Sequence, residues 1–355
     1  MSHLVNTPTT RSVIVRVAGG PGVGFGHLRR SWTLAGRLIQ DGITVHFVAA
    51  TADGAGILEE AGFSVTVEEH PQSLRCTLDL LSHTPSPRLC LVDDPDMPAV
   101  DLAELSACAP VVCIDDTGER EMPVDLAVNG SAGAEALFYR GRSDTRYLLG
   151  PKYILLREEF ACEQTRPPAS PEVRRVLILT GGGRVSALLQ EIAAVVKEIL
   201  PRAAVDVVAG PFGGAVSSPE ALVGCVTWHC SPQDVRALML SADLAVSAGG
   251  QTLYELAATA TPALGIRVAA NQALNLRGLA RAGCLRDLGA PEEPDFRARL
   301  AGALADLAGD VKAREVMGHK GRNLVDGRGV ERVAARLERL LLEAGVARET
   351  RPCTI

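Results

Sequence analysis

The sequence predicts an α/β fold of two similar units, each a parallel sheet with helices on both faces. Short β-branched runs alternate with helical patterns along the 355 residues, which is typical of such sheets. The proline-rich stretch EQTRPPASPEV at 163–173 interrupts this alternation, which restarts after it. A chain of this length can build two hydrophobic cores. We therefore expect two domains with a ligand-binding cleft between them.

These observations divide the chain into an N-terminal domain at 1–163, a linker at 164–173, a C-terminal domain at 174–328, and a terminal helix and tail at 329–355. The strands expected in the first domain are Ser12–Val17, Thr44–Ala49, Ser64–Val67, Leu89–Asp93, Val111–Asp115 and Leu126–Val128. We expect Leu126–Val128 to close that sheet. The strands expected in the second domain are Val176–Thr180, Val205–Ala209, a strand near Val226, Leu244–Ser247 and Ala263–Ile266.

Composition narrows the functional class. Hydrophobic residues make up 47% and charged residues 22% of the chain, as in a soluble globular protein. No run of about eighteen apolar residues occurs, so we expect no membrane span, and the N-terminus lacks a signal-peptide core, which favours the cytoplasm. A net charge of −6 without a Lys/Arg block argues against nucleic acid as a partner. The nine cysteines are scattered without CxxC pairs, so we expect neither zinc nor disulfides.

The loop GGPGVGFGH, from Gly19 to His27, is too rich in glycine for a routine turn. It is not a P-loop, because no Gly-Lys-Ser/Thr follows, and His27 occupies the third glycine position of the dinucleotide fingerprint. Gly24 and Gly26 are therefore candidate substrate-binding residues. His27 is expected to begin a helix and to serve as a neutral general base, or alternatively only to cap that helix.

Polar side chains near the strand ends complete the first half of the predicted site. Arg30 is expected to hold either an anionic ligand or an aspartate from the sheet, with a surface arginine as the alternative. The acids Asp93 and Asp94 follow one strand, and Asp115 and Asp116 follow the next. Such ends face the ligand crevice of an open α/β sheet, so these acids could assist the base or bind sugar hydroxyls. They could equally be solvated strand ends or helix caps.

The second half of the predicted site lies in DLAVSAGGQTLYELAATATPALGIRVAANQALN, residues 243–275. A strand, a turn at Gly249-Gly250 and a helix from Gln251 would aim unpaired backbone N–H groups and a positive dipole end at one point. Such a point can hold a diphosphate without lysine or metal, while Thr252 adds a hydroxyl and Glu255 can reach a ribose diol. The alternative is an ordinary βα turn. Gly181 and Gly182, which form the turn after Val176–Thr180, are assigned to the same nucleotide site.

Several of these segments carry a family resemblance. The run from Arg16 through GVGFGHLRRSWTLAGRLIQDGITVHFV resembles the GxGHxxR start of the UDP-sugar hydrolase of the pseudaminic acid pathway and its spore-coat polysaccharide relatives. LVDD, CIDD, LLGPKYILLREEF, SAGGQTLYEL and NQALN are similar to that family in order and spacing, over about residues 12–290. The resemblance implies the GT-B architecture, two Rossmann-like α/β domains with an interdomain cleft, and a C-terminal helix that packs back on the first domain.

The resemblance also implies a reaction. Members hydrolyse a UDP-linked deoxyamino sugar by attack of water at the anomeric carbon, with inversion and without a metal or other cofactor. His27 matches the histidine that activates the water, and we assign Asp93 beside it to catalysis. The segment Gly249–Thr252 matches the diphosphate site and Glu255 the ribose contact. The polar residues beside the nucleotide or sugar are Asn271, Gln272 and Asn275.

Two departures concern the sugar. The family has an acid where this chain has Ala18, and Asp-His-Tyr where it has Asp93-Asp94-Pro95. A changed sugar pocket beside an intact nucleotide site indicates a different sugar, or a different acceptor in place of water. We therefore predict a nucleotide-sugar hydrolase. The alternatives are a GT-B transferase that moves a sugar to a small acceptor, and a non-catalytic nucleotide-sugar binder.

Overall fold

The computed structural model describes residues 11–19, 25–68, 70, 73–162, 166–180, 186–210, 224–230, 232 and 234–349. The elements of the first part are β1 Ser12–Val17, α1 Gly26–Gln40, β2 Thr44–Ala49, α2 Ala52–Glu60, β3 Val65–Val67, α3 Arg75–His83, β4 Arg88–Asp93, α4 Ala99–Cys108, β5 Val111–Ile114, β6 Glu121–Met122, β7 Leu126–Asn129, β8 Arg140–Gly141 and β9 Arg146–Leu149. Those of the second part are β10 Arg175–Leu179, α5 Ser186–Ile199, β11 Ala204–Ala209, β12 Val226–Cys230, α6 Val235–Ser241, β13 Leu244–Ala248, α7 Thr252–Ala258, β14 Ala263–Ile266, α8 Ala273–Arg281, β15 Arg286–Asp287, α9 Phe296–Gly309, α10 Val311–Leu324 and α11 Gly329–Glu349.

Two parallel sheets form the centres of the two domains. The first has the order β3-β2-β1-β4-β5-β7-β9, and the second has the order β12-β11-β10-β13-β14-β15. The strand order reverses beside β1 in the first sheet and beside β10 in the second, which are the positions where open α/β sheets bind ligands. The register pairs Val17 with Asp93 and Leu179 with Ser247, so in each sheet the two strands at the switch point end side by side.

The strands are buried on both faces, as parallel sheets require. Val13, Val15 and Val17 of β1 pack with α1, whereas Ile14 packs into a second cluster on the opposite face.

One expectation about the first sheet is wrong. The strand at Leu126–Asn129 does not close the sheet, because Arg146–Leu149 adds one further parallel strand outside it. The sequence signal for β9 is weak, since all four of its residues are only partly buried.

The last helix returns to the first domain. Val333, Leu337 and Leu341 lie on one face of α11 at helical spacing and join the cluster that contains β1 and α1. The burial of this apolar face, rather than local preference, places the helix against a sheet that ended about 180 residues earlier in the chain.

The chain therefore crosses between the domains twice. At the first crossing, Leu155 packs in a first-domain core and Leu156 in a second-domain core. At the second crossing, Val325 packs in the second-domain core and Val330 in the first-domain core. The crossings are in contact, because a Cβ at Gly329 would lie 2.0 Å from the Ile154 carbonyl oxygen. The two crossing segments therefore pack against each other. The domain boundaries at 163/164, 173/174 and 328/329 stay predictions.

Candidate functional site

His27 lies in the first turn of α1 and bonds to the end of β4. Its Nδ1 is 2.8 Å from Asp93 Oδ1, and the residue is 9% exposed. It does not cap its helix, since Phe25 is the N-cap residue and no side chain caps there. The structure thus joins two residues that the sequence placed on separate elements.

Asp93 is fully buried and accepts hydrogen bonds from three side chains. Besides His27, Arg30 donates from Nη2 at 2.5 Å and Nε at 2.7 Å, and Ser31 donates from Oγ at 2.8 Å. Burial alone would raise the pKa of Asp93, but the charges of Arg30 and His27 and their hydrogen bonds hold it well below its usual range. Asp93 is therefore a permanent anion at neutral pH.

The imidazole tautomer follows from this anion. An ionised carboxylate only accepts hydrogen bonds, so we assign the proton to Nδ1 and leave Nε2 unprotonated. Arg30 Nη2 also lies 3.0 Å from Nδ1, but a guanidinium cannot accept the Nδ1 proton. Nε2 has no hydrogen-bond partner among the described residues. This arrangement equips His27 to take a proton from a hydroxyl or a water molecule.

Arg30 holds two aspartates rather than standing free on the surface. Its Nη1 lies 2.6 Å from Asp116 Oδ1, and it also grips Asp93. Burial would lower the pKa of Arg30, but Asp116 and Asp93 raise it well above its usual value. Of the two roles expected for Arg30, the structure places it in the one that holds an aspartate of the sheet.

Asp94 points away from this cluster. Successive side chains of a strand alternate in direction, and Asp94 lies 3.5 Å from Arg16 Nε on the opposite face. There it lines a cavity of about 300 Å³ together with Thr51, Asp96 and Asp101. Burial raises the pKa of Asp94. The adjacent acids are therefore not a functional pair.

The second pair of acids is split as well. Asp116 binds Arg30, whereas Asp115 Oδ2 accepts from Gly118 N at 2.6 Å and from Asn129 Nδ2 at 3.3 Å. Burial raises the pKa of Asp115. Asp115 therefore stabilises the turn after β5.

Two glycines of the first domain were predicted to bind substrate. Gly26 begins α1, and no described atom lies within 4 Å of the position that its Cβ would take. Gly24 lies outside the described residues.

Across the cleft, the glycine turn after β13 differs from the expectation at one position. The Gly249 N–H is not free, because it donates to Ile266 O at 2.8 Å and to Gln272 Oε1 at 3.2 Å. A Cβ at Gly249 would lie 2.9 Å from Gln272 Cβ, so internal packing explains this glycine. Among the described residues, a Cβ at Gly250 would meet only Gln272 Nε2, at 4.0 Å.

The next three backbone N–H groups are available. Within the part of the chain that the structure describes, the N–H groups of Gly250, Gln251 and Thr252 make no hydrogen bond. Helix α7 begins at Thr252, one residue later than expected. Gly181 and Gly182, assigned to the same site, lie outside the described residues.

Three polar side chains predicted to bind ligand make hydrogen bonds within the protein at this turn. Gln272 Oε1 accepts from Gly249 N and from Val268 N, and Asn275 Nδ2 donates to Gly249 O at 3.1 Å. Gln251 Nε2 donates to Leu155 O of the first domain. Asn271 is exposed, and its side chain makes no hydrogen bond with the described residues.

The buried hydroxyl of Tyr254 joins the domains, and sequence reasoning missed it. It donates to Asn275 Oδ1 at 2.5 Å and accepts from the Ala132 N–H at 2.8 Å. Nothing in YEL distinguishes this tyrosine from a core aromatic, because its partners are about 20 and 120 residues away.

Glu255 interacts with two arginines that the sequence analysis did not single out. Its side chain is 14% exposed and lies 3.5 Å from Arg157 Nη2. Burial raises the pKa of Glu255, against the opposing charges of Arg157 and Arg29. Arg29 packs over Phe25 and Trp32, and its pKa is lowered by burial and by Arg157. The charges of Arg29 on α1 and Glu255 on α7 therefore attract each other across the cleft.

Other site types receive no support from the described residues. Within the described ranges, no group of three or more His, Cys, Asp or Glu side chains is arranged to hold a metal ion. In the same part of the chain, no helix combines the length and apolarity that a bilayer crossing demands.

Comparisons with known proteins agree with this architecture. No family model matches the chain. The spore coat polysaccharide biosynthesis protein SpsG of Bacillus subtilis (strain 168) is 26% identical over 334 residues, which are 91% of this chain and 96% of SpsG.

Two solved structures are similar along nearly their whole length. The glycotransferase of kitacinnamycin has a TM-score of 0.62 at 16% identity, covering 94% of this chain and 100% of its own. The spinosyn rhamnosyltransferase SpnG complexed with thymidine diphosphate has a TM-score of 0.62 at 18% identity, covering 93% and 100%. These likenesses confirm the predicted fold class: the chain has the GT-B fold, with two Rossmann-like α/β domains and a cleft between them.

Proposed function

We propose that this protein is a GT-B glycosyltransferase that moves a sugar from a nucleoside diphosphate to a small hydroxyl acceptor. The observation that carries the catalytic part of the proposal, a base that deprotonates the acceptor, is the 2.8 Å hydrogen bond between His27 Nδ1 and the buried anion Asp93. It orients the imidazole with Nε2 unprotonated, and the adjacent anion stabilises the imidazolium that forms when Nε2 takes a proton.

The reaction is a single displacement. The acceptor oxygen forms a bond to the anomeric carbon as the bond from that carbon to the diphosphate oxygen breaks. The acceptor proton passes to His27 Nε2, and the electron pair of the broken bond leaves with the nucleoside diphosphate. Because attack and departure occur on opposite faces, the anomeric configuration is inverted.

The second domain holds the departing group. The N–H groups of Gly250, Gln251 and Thr252 are donors for a diphosphate whose negative charge grows in the transition state. Glu255 lies one turn along α7 and is an acceptor for ribose hydroxyls. Uridine as the base is carried over from the resemblance to UDP-sugar enzymes. SpnG, which shares the fold, was solved with thymidine diphosphate.

Hydrolysis is the second candidate, because His27 and Arg30 occupy the GxGHxxR positions that resemble the UDP-sugar hydrolases. The same base can deprotonate water or an alcohol, so the His–Asp pair supports both reactions equally. The two fold neighbours are a glycotransferase and a rhamnosyltransferase, which favours the transfer alternative over our first prediction.

The test is a panel of UDP- and TDP-linked sugars incubated with and without small alcohol and sugar acceptors, with the released anomer followed by NMR. We expect nucleoside diphosphate release that depends on acceptor, and a product of inverted configuration. Release of free sugar at the same rate without acceptor would replace transfer by hydrolysis. Tight nucleotide-sugar binding with no turnover under any condition would reduce the protein to a binder.

A further inference from the structure

A groove on the outside of the first domain carries a strong positive charge in a chain whose net charge is −6. It lies between the edge strand β9 and helix α11 and has a volume of about 490 Å³. The described residues that line it are Arg146, Tyr147, Leu148, Tyr153, Arg332, Ala335, Arg336 and Arg339. None of these is acidic.

Three of the four arginines of the groove form ion pairs with two carboxylates that do not line it. Arg146 and Arg339 share one carboxylate, Glu343, at 3.0 Å and 3.1 Å. Arg332 is committed to Asp326 and also donates to the Lys152 carbonyl at 2.9 Å. Arg336 has no ion-pair or hydrogen-bond partner in the described part of the chain. Three of the four guanidinium groups thus form ion pairs with two carboxylates, and the charge of Glu331 also acts on Arg332. The groove keeps an excess of about one to two positive charges.

The excess matches a phosphate in charge and in geometry. Guanidinium groups bind phosphate oxygens through two parallel N–H donors, and two positive charges balance one phosphate dianion. Lys152 Nζ, 5.0 Å from the Tyr153 ring centroid, adds a further cation at the edge of the groove. The rings of Tyr147 and Tyr153 supply flat surfaces for the rest of a ligand.

The volume and the rigid walls of the groove suit a small molecule. The volume falls within the roughly 300–1,000 Å³ of small-molecule sites. The walls are a paired strand and a helix whose inner face is buried in the core, so the arginines stand on rigid supports. From these observations we propose that the groove binds a phosphorylated small molecule at a site separate from the cleft.

The experiment uses inorganic pyrophosphate and the full chain. The variant R336Q/R339Q removes two groove arginines, and the control R202Q/R281Q removes two exposed arginines that do not line it. In calorimetric titrations we expect at least a tenfold weaker groove site in R336Q/R339Q and no change in the control. Equal binding by all three proteins would overturn the proposal.

Location is tested in the unsubstituted protein, so the result does not depend on the folding of any variant. Phenylglyoxal modifies accessible arginines, and mass spectrometry of the peptides reports each position. Pyrophosphate should protect Arg336 and Arg339 at least threefold and leave Arg202 unprotected. Protection confined to Arg29 and Arg157 would assign all binding to the cleft and contradict the proposal.

Membrane binding is the other outcome to separate. The protein is sedimented with phosphatidylcholine vesicles that contain or lack phosphatidylglycerol. Retention on the anionic vesicles that is lost in R336Q/R339Q, combined with no pyrophosphate protection, would make the groove a lipid-facing surface and overturn the small-molecule proposal.

Discussion

The two domains repeat one strand order around their switch points, yet they offer opposite kinds of group to the cleft. The first domain presents polar side chains, namely His27, Asp93 and Arg30, that are hydrogen-bonded to one another. The second presents backbone N–H groups of a turn that the side chains of Gln272 and Asn275 hold in shape. This difference between the domains shows that the shared fold sets the position of the site, whereas the residues at the strand ends determine its chemistry.

The same contrast appears in the two buried carboxylates. Asp93 is surrounded by donors and cations that lower its pKa, while burial outweighs the nearby arginines at Glu255 and raises its pKa. Asp93 is suited to be a fixed charge that orients a base. Glu255 is suited to a hydrogen-bonding role that responds to ligand and pH.

The largest effect should come from His27→Ala. Removing the base should lower turnover by roughly 10²–10⁴-fold, with little change in nucleotide affinity. Steady-state kinetics and a nucleotide titration measure the two quantities. Equal losses in turnover and affinity would show that the two sides of the cleft do not have separate roles.

The second-largest effect should come from Asp93→Asn, because Asp93 orients the base His27. Asp93→Asn removes the anion, and we expect turnover to fall by roughly 10²–10³-fold because the imidazole loses its fixed tautomer and charge partner. Asp116→Asn is the matched control, since Asp116 contacts Arg30 but not His27.

Stability adds a second measurement for Asp93. Breaking a buried ion pair costs roughly 3–5 kcal/mol. The folded pKa of Asp93 lies below its unfolded value, so its stabilisation is present above the unfolded pKa and is lost as pH falls through the folded pKa. The difference in unfolding free energy between Asp93→Asn and the unsubstituted protein should therefore shrink in acid. A constant difference would contradict the ionised state.

Glu255→Gln should act on binding. Loss of a charged acceptor for ribose should weaken nucleotide binding by roughly 10–100-fold with a smaller effect on the chemical step. Because the pKa of Glu255 is raised, affinity in the unsubstituted protein should begin to fall at a higher pH than for an ordinary glutamate as the solution is acidified. Titrations across pH should show this loss only where Glu255 is present.

The smallest effects should come from alanine substitutions of two adjacent glycines, Gly249 and Gly250, which we expect to differ in their consequences. Gly249→Ala should destabilise the protein by roughly 1–3 kcal/mol, because its Cβ would press on Gln272 and Leu276. Gly250→Ala has open space and should leave stability nearly unchanged while weakening nucleotide binding. Denaturant unfolding and nucleotide titration measure the pair. Normal nucleotide affinity in Gly250→Ala would remove this turn from the diphosphate site.

Local sequence patterns determined the alternating α/β elements, the start of α1 near His27 and the carboxylates at the ends of β4 and β5. These features depend on side-chain period and on glycine, which act over a few residues. The final amphipathic helix was also visible in the sequence, although its partner surface was not.

Only the tertiary structure decided which of the candidate residues meet. It paired His27 with Asp93, turned Asp94 to the opposite face, and engaged Gln272 and Asn275 in holding the turn. It also brought Arg157 to Glu255. These contacts join residues far apart in the chain, and they form because burial of the sheets and of α11 brings distant strand ends to one cleft, a constraint that no short stretch of sequence contains.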